Sequence, residues 1–184
     1  MHIKYPEIGV CGLSCRLCPM YNTEADSRCI GCKSPNRMAV GCPFITCAVK
    51  KKGIEFCGHC NESKTCEKWE KHKEAGKKND SFKCYQKLDD NILFIQKNGI
   101  CEFEKVQKQR ELLLKEMLRD FNEGRSKSYY CIIATVFEIE ELEKALNQAK
   151  KESNSLEIKD KSKILHSIFD EIKEKKGYCL KLRK

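Results

Sequence analysis

The feature of this sequence that most restricts its fold is a dense run of cysteines near the N-terminus. The chain has 14 cysteines in 184 residues, and one short segment holds Cys11, Cys15, Cys18, Cys29, Cys32, Cys42, Cys47, Cys57, Cys60 and Cys66. The large apolar side chains of this segment are few and follow no helical or strand period. So small a core is marginal unless a crosslink or a bound metal holds it together.

The start of the chain indicates the compartment in which those cysteines work. Residues 1–7 contain no apolar stretch and no small-residue cleavage site, so they do not read as a secretory leader. No segment approaches the roughly 18 consecutive apolar residues of a membrane helix. We therefore expect a cytoplasmic protein without membrane association, whose thiols stay reduced and serve as metal ligands rather than as a disulfide framework.

Three cysteine pairs have the spacing C-x-x-C, at 15/18, 29/32 and 57/60. A turn of this length directs two sulfurs toward one ion and leaves backbone N–H groups free to bond the thiolates. Four such sulfurs suit Zn²⁺ or an iron–sulfur cluster. The groupings that respect the spacing give about two sites, namely Cys15 and Cys18 with Cys29 and Cys32, and Cys57 and Cys60 with Cys42 and Cys47 or with Cys66.

Thiolate ligands alone do not separate zinc from iron. Closed four-thiolate zinc sites are redox-inert and hold a fold together, which suits a binding or regulatory module that has a protein partner. Prolines after Cys18 and Cys42 favour the alternative, an iron–sulfur protein in electron transfer or redox sensing. The ferredoxin pattern C-x-x-C-x-x-C-x-x-x-C-P is absent, so we predict zinc and keep the iron–sulfur cluster as the alternative.

The sequence offers no positive support for an enzyme. It contains no phosphate-binding loop, no dinucleotide-binding glycine motif and no recognisable Ser/His/Asp set. A third possibility is zinc-dependent nucleic-acid binding. The formal net charge is +9, but thiolate ligation would lower it, and no dense basic face with interleaved aromatic residues is evident. We therefore do not expect nucleic acid as the partner.

The chain divides by composition into a cysteine-rich module (1–72), a polar linker (73–83) and a helical region (84–184). Short helices are predicted near 47–52 and 66–72 of the module. In the helical region apolar residues recur at helical spacing, except that the apolar run 129–137 fits a helix or a strand equally well. Alternation over 178–182 predicts a short terminal strand. The predicted fold is a small α+β protein.

Several local signals mark the ends of these helices. Gly99, Gly124 and Gly177 are predicted to stop helices, and Asp160 is predicted to cap the last helix at its N-terminus. Ser126 or Ser128 is a candidate cap for the helix that follows Gly124. Cys101, Cys131 and Cys179 are expected to be small buried residues. The sequence ascribes no special role to His2, His72 and His166, and it predicts that Lys50, Lys51 and Lys52 are a solvated helix face.

A second candidate site lies in the segment that follows Gly124. Serines and cations at a helix start can hold an anion, because free N–H groups and the helix dipole both favour negative charge there. The candidate residues are Arg125, Ser126, Lys127 and Ser128. The simpler interpretation is a helix stop followed by a helix start with solvated charges.

The cysteine pattern also carries a family resemblance. It runs Cys11-Gly12-Leu13-x-Cys15-x-x-Cys18-Pro19-x-Tyr21, Cys29-x-Gly31-Cys32, Cys42-x4-Cys47-Ala48 and Cys57-x-x-Cys60-x5-Cys66-Glu67-Lys68. Over residues 8–72 this pattern resembles the domain-of-unknown-function 3795 family of bacteria and archaea. The resemblance implies a shared metal module and names no reaction. Lys64-Thr65 stands where members often have a proline, which should alter a turn and not a ligand.

Overall fold

A computed structural model describes residues 3–78, 87–178 and 180. The helices within these residues are α1 (Pro35–Val40), α2 (Pro43–Ile45), α3 (Glu67–Lys78), α4 (Leu88–Asn98), α5 (Ile100–Asp120), α6 (Lys127–Val136), α7 (Ile139–Glu152) and α8 (Ile158–Lys176). A π-helical turn, Thr46–Lys51, continues α2 directly. The two short helices predicted in the module are therefore present, and both are longer than predicted.

The β part of the predicted α+β class is wrong for the residues that the structure describes. Their sole strand-like pairing is an isolated antiparallel bridge between Ile8 and Ser14. Tight turns around the cysteines close before a ladder can extend. At the other end, Tyr178 packs its ring on Phe137 with centroids 4.9 Å apart, and the described residues form no strand beside it. Cys179 and residues 181–184 of the predicted strand lie outside the described residues.

The predicted linker is also helical where it begins. Helix α3 continues through residue 78, because lysine, glutamate and alanine in this stretch are good helix formers. Residues 79–86, which complete the predicted linker, lie outside the described residues.

Helices α5 to α8 pack together around the larger apolar core. Helix α5 packs against α6 and α7, and α7 packs against α8. The ambiguous apolar run is helix α6, and it buries Tyr130, Cys131, Ile132, Ile133, Ala134 and Val136. A helix buried on nearly every side has no polar stripe, so its sequence shows no 3.6-residue period.

Two ends of these helices depart from their predicted positions, and one residue at a predicted cap position makes no capping bond. Helix α5 ends at Asp120 with Phe121 as its C-cap, so Gly124 lies in the following loop and does not cap it. Ser126 occupies the N-cap position of α6, but its side chain makes no capping bond. Glu157, not Asp160, precedes α8. Gly177 ends α8 in the left-handed conformation (φ 67°), as predicted.

The cysteine-rich module rests directly on α4 and α5. One small core joins Val10, Phe44 and Trp69 to Leu88 of α4. A second core joins Ile8 and Phe56 to Ile95 and Phe103. The module therefore buries its apolar side chains against those of α4 and α5, which compensates for the few large apolar side chains that it has itself.

None of the helices within the described residues combines the length and the apolar character that crossing a bilayer requires.

Candidate metal centre

Two of the C-x-x-C pairs form turns of the same shape. Cys15–Leu17 and Cys57–His59 are single 3₁₀ turns. The N–H of Cys18 donates to the Cys15 carbonyl at 2.9 Å, and the N–H of Cys60 donates to the Cys57 carbonyl at 3.0 Å. Each turn ends in a residue with extended backbone, and the two residues have nearly equal dihedral angles. Cys18 has φ −85° and ψ 134°, and Cys60 has φ −82° and ψ 129°. The sequence thus repeats one local structure at two places.

One short segment anchors both turns. The N–H of Cys15 donates to the Glu7 carbonyl at 2.7 Å, and the N–H of Cys57 donates to the Val10 carbonyl at 2.8 Å. Residues 7–10 therefore set the position of one C-x-x-C turn relative to the other. The bond from Cys57 to Val10 joins residues 47 positions apart, and cysteine spacing does not reveal it.

The ten cysteines of the module line two cavities. The first has a volume of about 630 Å³, and its wall includes Cys11, Cys15, Cys18, Cys29, Cys32 and Cys42. The second has a volume of about 760 Å³, and its wall includes Cys47, Cys57, Cys60 and Cys66. Each cavity thus has one of the two matched turns in its wall. The structure places Cys47 and Cys66 beside the second turn and separates Cys47 from Cys42, a choice that the sequence left open.

Backbone N–H groups point at several of the sulfurs. The N–H of Cys32 donates to Cys15 Sγ at 3.2 Å. The N–H groups of Met20 and Tyr21 donate to the sulfur of Cys18. The N–H of Leu13 donates to the sulfur of Cys11. Such bonds favour the thiolate over the thiol, and they are a regular feature of sulfur ligands around a metal.

Burial and mutual proximity act in the opposite direction. Burial raises the pKa of the Cys57 thiol to about 12, and the neighbouring thiols of Cys11, Cys66, Cys47 and Cys60 contribute to the shift. Burial also raises the pKa of Cys11 to about 11, with further contributions from Cys32 and Cys42. Cys11 therefore interacts with both sulfur groups. Thiolates this close together need either protons or a cation to neutralise them.

The sulfurs share cavity walls without converging on a common centre. Among residues 3–78, 87–178 and 180, no three histidine, cysteine or acidic side chains meet in an arrangement ready to hold an ion. Instead, a hydrogen bond between the thiols of Cys15 and Cys32 is the main cause of a raised pKa at Cys15. The donor set nevertheless has the composition that soft cations prefer, since it is sulfur throughout and several of the sulfurs accept bonds from N–H donors.

Two cations lie against the sulfurs. Lys52 Nζ is 3.2 Å from Cys60 Sγ and 2.8 Å from Glu62 Oε2. The Arg37 side chain bonds the Cys29 thiol, which raises the pKa of the guanidinium. Lys50, Lys51 and Lys52 are all exposed, as predicted, and Lys52 in addition contacts the Cys60 sulfur.

The cysteines outside the module differ from one another in environment. Cys131 is buried as predicted, and burial raises the pKa of its thiol to about 12. Cys101 is exposed, contrary to prediction, and its sulfur lies 3.1 Å from the Tyr5 hydroxyl. Helix α5 turns position 101 away from the core. Cys179 lies outside the described residues.

The four candidate anion-binding residues do not come together at one point. Ser126 is buried, whereas Arg125 and Ser128 are exposed and Lys127 is half-buried. Arg125 and Ser126 line a surface cavity between the start of α6 and helix α8. An anion site formed by all four residues stays a prediction from the sequence alone.

Ser126 instead belongs to a polar cluster that the sequence did not reveal. Its Oγ lies 2.7 Å from His166 Nε2 and donates to Glu123 Oε2 at 2.7 Å. Ser162 donates to the same carboxylate oxygen at 2.8 Å. The arrangement differs from a catalytic triad, because Glu123 contacts the two serines rather than the imidazole. The cluster ties the loop before α6 to α8.

Comparison with known proteins identifies the module alone. No curated protein and no solved structure matches the chain. A family model described as a protein of unknown function (DUF3795) matches residues 7–71, a range that contains all ten cysteines of the two cavities. The match confirms that the cysteine-rich segment is similar to the DUF3795 family over residues 7–71.

Proposed function

We propose that the cysteine-rich module binds two zinc ions through its thiolates and serves as a cytoplasmic binding or regulatory unit. The observation that carries this proposal is the division of the cysteines between two cavities, each with one C-x-x-C turn of the same shape in its wall. The first ion is assigned to Cys15, Cys18, Cys29 and Cys32. The second is assigned to Cys47, Cys57, Cys60 and Cys66.

The charges around the sulfurs support this assignment. Four thiolates and one divalent ion leave a site with a net charge of about −2, which a neighbouring cation stabilises. Arg37 bonds Cys29 of the first set, and Lys52 contacts Cys60 of the second. Each proposed site therefore has one basic side chain against its sulfurs.

The role proposed for the metal is structural. The module has two small apolar cores that rely on helices α4 and α5. Zinc held by four thiolates crosslinks distant loops and contributes its binding free energy to folding. Cys11 and Cys42 are left outside the two sets, and Cys11 lies between them, where its thiol interacts with Cys32 and with Cys57.

Metal analysis of protein purified without oxygen tests the proposal. We expect about two zinc per chain and no visible absorption, since Zn²⁺ is d¹⁰. Iron with acid-labile sulfide and a brown colour would establish the iron–sulfur alternative instead. A folded chain that binds neither metal would disprove metal binding altogether.

Single cysteine variants test the grouping. Cys18→Ser and Cys60→Ser should each lose about one zinc, because each removes one of four ligands. Cys47→Ser should also lose one, whereas Cys42→Ser should keep both. Cys101→Ser is the matched control, since Cys101 is exposed and outside the module. Loss of zinc from Cys42→Ser but not from Cys47→Ser would reverse the assignment.

A further inference from the structure

The first cavity extends beyond the sulfurs to helices α4 and α5. Its volume of about 630 Å³ lies within the range of pockets that hold small molecules. Four residues of α5 line it, Phe103, Val106, Gln107 and Arg110. Their spacing of three, four and seven residues puts them on one face of the helix. Two strongly polar side chains thus lie on the apolar face that packs toward the module.

Gln107 is polar, buried and unpartnered. Its exposed fraction is 5%, and its side-chain amide makes no hydrogen bond with any residue that the structure describes. Its amide atoms keep some accessible surface, and Gln107 lines the cavity. A ligand bound there can therefore supply the missing bond.

Arg110 lies one turn further along α5 and is 8% exposed. Its Nη1 donates to the Ala134 carbonyl at 2.9 Å and also to that of Phe137. Among the described residues its one ion pair is with Glu138, whose Oε2 lies 3.8 Å from Nη2, beyond hydrogen-bond distance. The Glu138 side chain is more than half exposed, and its Oε1 also pairs with Lys87 Nζ at 3.1 Å.

The Arg110 charge is therefore buried without a bonded counter-ion. Burial lowers the pKa of its guanidinium, although nearby carboxylates oppose the shift. A carboxylate that bonds a guanidinium directly gives a shorter and stronger contact than a neutral acceptor does. Glu138 and Glu140 line the same cavity and partly balance this charge, but neither bonds the guanidinium directly, as an anionic group bound in the cavity could.

We propose that this cavity binds a small, largely apolar molecule through a carboxylate group. Arg110 Nη2 and the Gln107 amide N–H donate to the carboxylate, and the remainder of the molecule packs against Phe94, Phe103 and Val106. The donors come from α5 and not from the cysteines, so the proposal does not depend on which metal the module holds.

Calorimetric titration of the metal-replete protein with decanoate and 2-naphthoate tests this inference, with decanamide and 2-naphthamide as uncharged controls. At least one carboxylate should bind, and its amide should bind at least about tenfold more weakly, because a hydrogen bond to a charged group contributes about 1.5–3 kcal/mol. Failure of both carboxylates to bind, or equal binding of acid and amide, would overturn the proposal.

Matched variants of α5 locate the site. Gln107→Leu should weaken carboxylate binding about tenfold and leave the fold intact, since Gln107 bonds no described residue. Arg110→Met should weaken it about 10- to 100-fold. Gln109→Leu is the control, because Gln109 is exposed and bonds Glu143. Should Arg110→Met fail to fold, Gln107→Leu decides, and an affinity equal to that of Gln109→Leu would reject the site.

Discussion

Arg16 donates from Nη1 to Glu111 Oε2 at 2.8 Å, and this bond joins the first C-x-x-C turn to helix α5. Arg16 lies between Cys15 and Cys18, and 95 residues separate it from its partner. The side chains are 15% and 9% exposed. Glu7 and Glu104 each lie 3.7 Å from Nη2 of the same guanidinium. One cation therefore holds three carboxylates between the module and the helices.

Arg16→Met should lower the free energy of unfolding by about 1.5–3 kcal/mol, because it removes a charged hydrogen bond that is largely shielded from water. Urea unfolding of the metal-replete protein measures the change. Arg119→Met is the control, since Arg119 pairs with Asp120 at the surface with 73% of its side chain exposed. An equal loss of unfolding free energy in both variants would show that the Arg16–Glu111 contact contributes no more to stability than an exposed surface pair does.

Gly31→Ala should destabilise the module strongly. Gly31 has a φ of +119°, and a Cβ there would lie 2.6 Å from the Pro6 carbonyl oxygen. That oxygen belongs to the backbone, so the turn before Cys32 must shift. Gly53→Ala is the control, because Gly53 also has a positive φ, +63°, but open space around it. Thermal unfolding should separate the two variants, and equal melting temperatures would contradict the steric argument.

The buried pair of Lys33 and Glu55 gives a third prediction. Lys33 Nζ lies 2.9 Å from Glu55 Oε1 and 3.2 Å from the Tyr5 carbonyl, and its side chain has no exposed surface. Lys33→Met should cost about 3 kcal/mol, because Glu55 is left without its cation. The double variant with Glu55→Gln should recover part of the loss, and strictly additive losses would show that the pair is not coupled.

His166 should make stability depend on pH. Burial lowers the pKa of its imidazole below 6.5, although Glu123 and Asp170 oppose the shift. The Tyr129 ring stacks on it with centroids 4.2 Å apart. The imidazole of the unfolded chain binds a proton more readily than that of the folded chain. The contribution of His166 to the free energy of unfolding is therefore fully present above the unfolded pKa. It is lost as the pH falls below about 6.5 toward the folded pKa.

Comparison of the wild type with His166→Gln isolates this effect. Unfolding free energies are measured at several pH values between about 7.5 and 5. Acid also protonates metal-binding thiols, but that loss is common to both proteins and cancels in the difference. The advantage of the wild type over the variant should shrink as the pH falls. A difference that is constant, or that grows toward acid, would contradict a lowered pKa at His166.

Local signals in the sequence account for much of the fold. The cysteine spacing predicts the turns at Cys15–Leu17 and Cys57–His59, and the helical period predicts α4, α5, α7 and α8. These features depend on residues a few positions apart, so a short stretch of sequence contains them. The family resemblance of the module was identifiable for the same reason, because its cysteine pattern is local.

Tertiary packing decided the remainder. Residues 129–137 could be helix or strand until the neighbouring helices buried Tyr130 and Ile133 on all sides. Cys47 lines the cavity with Cys57 and Cys60, and Cys42 does not. Spacing does not determine this, because residues 7–10 anchor both turns from a distance. His166 and Ser162 meet Ser126 and Glu123 only when α8 packs beside the start of α6. Sequence alone thus singled out the cysteines of the module as candidate ligands, and the long-range contacts, whose partners lie far apart along the chain, decided which of them line the same cavity.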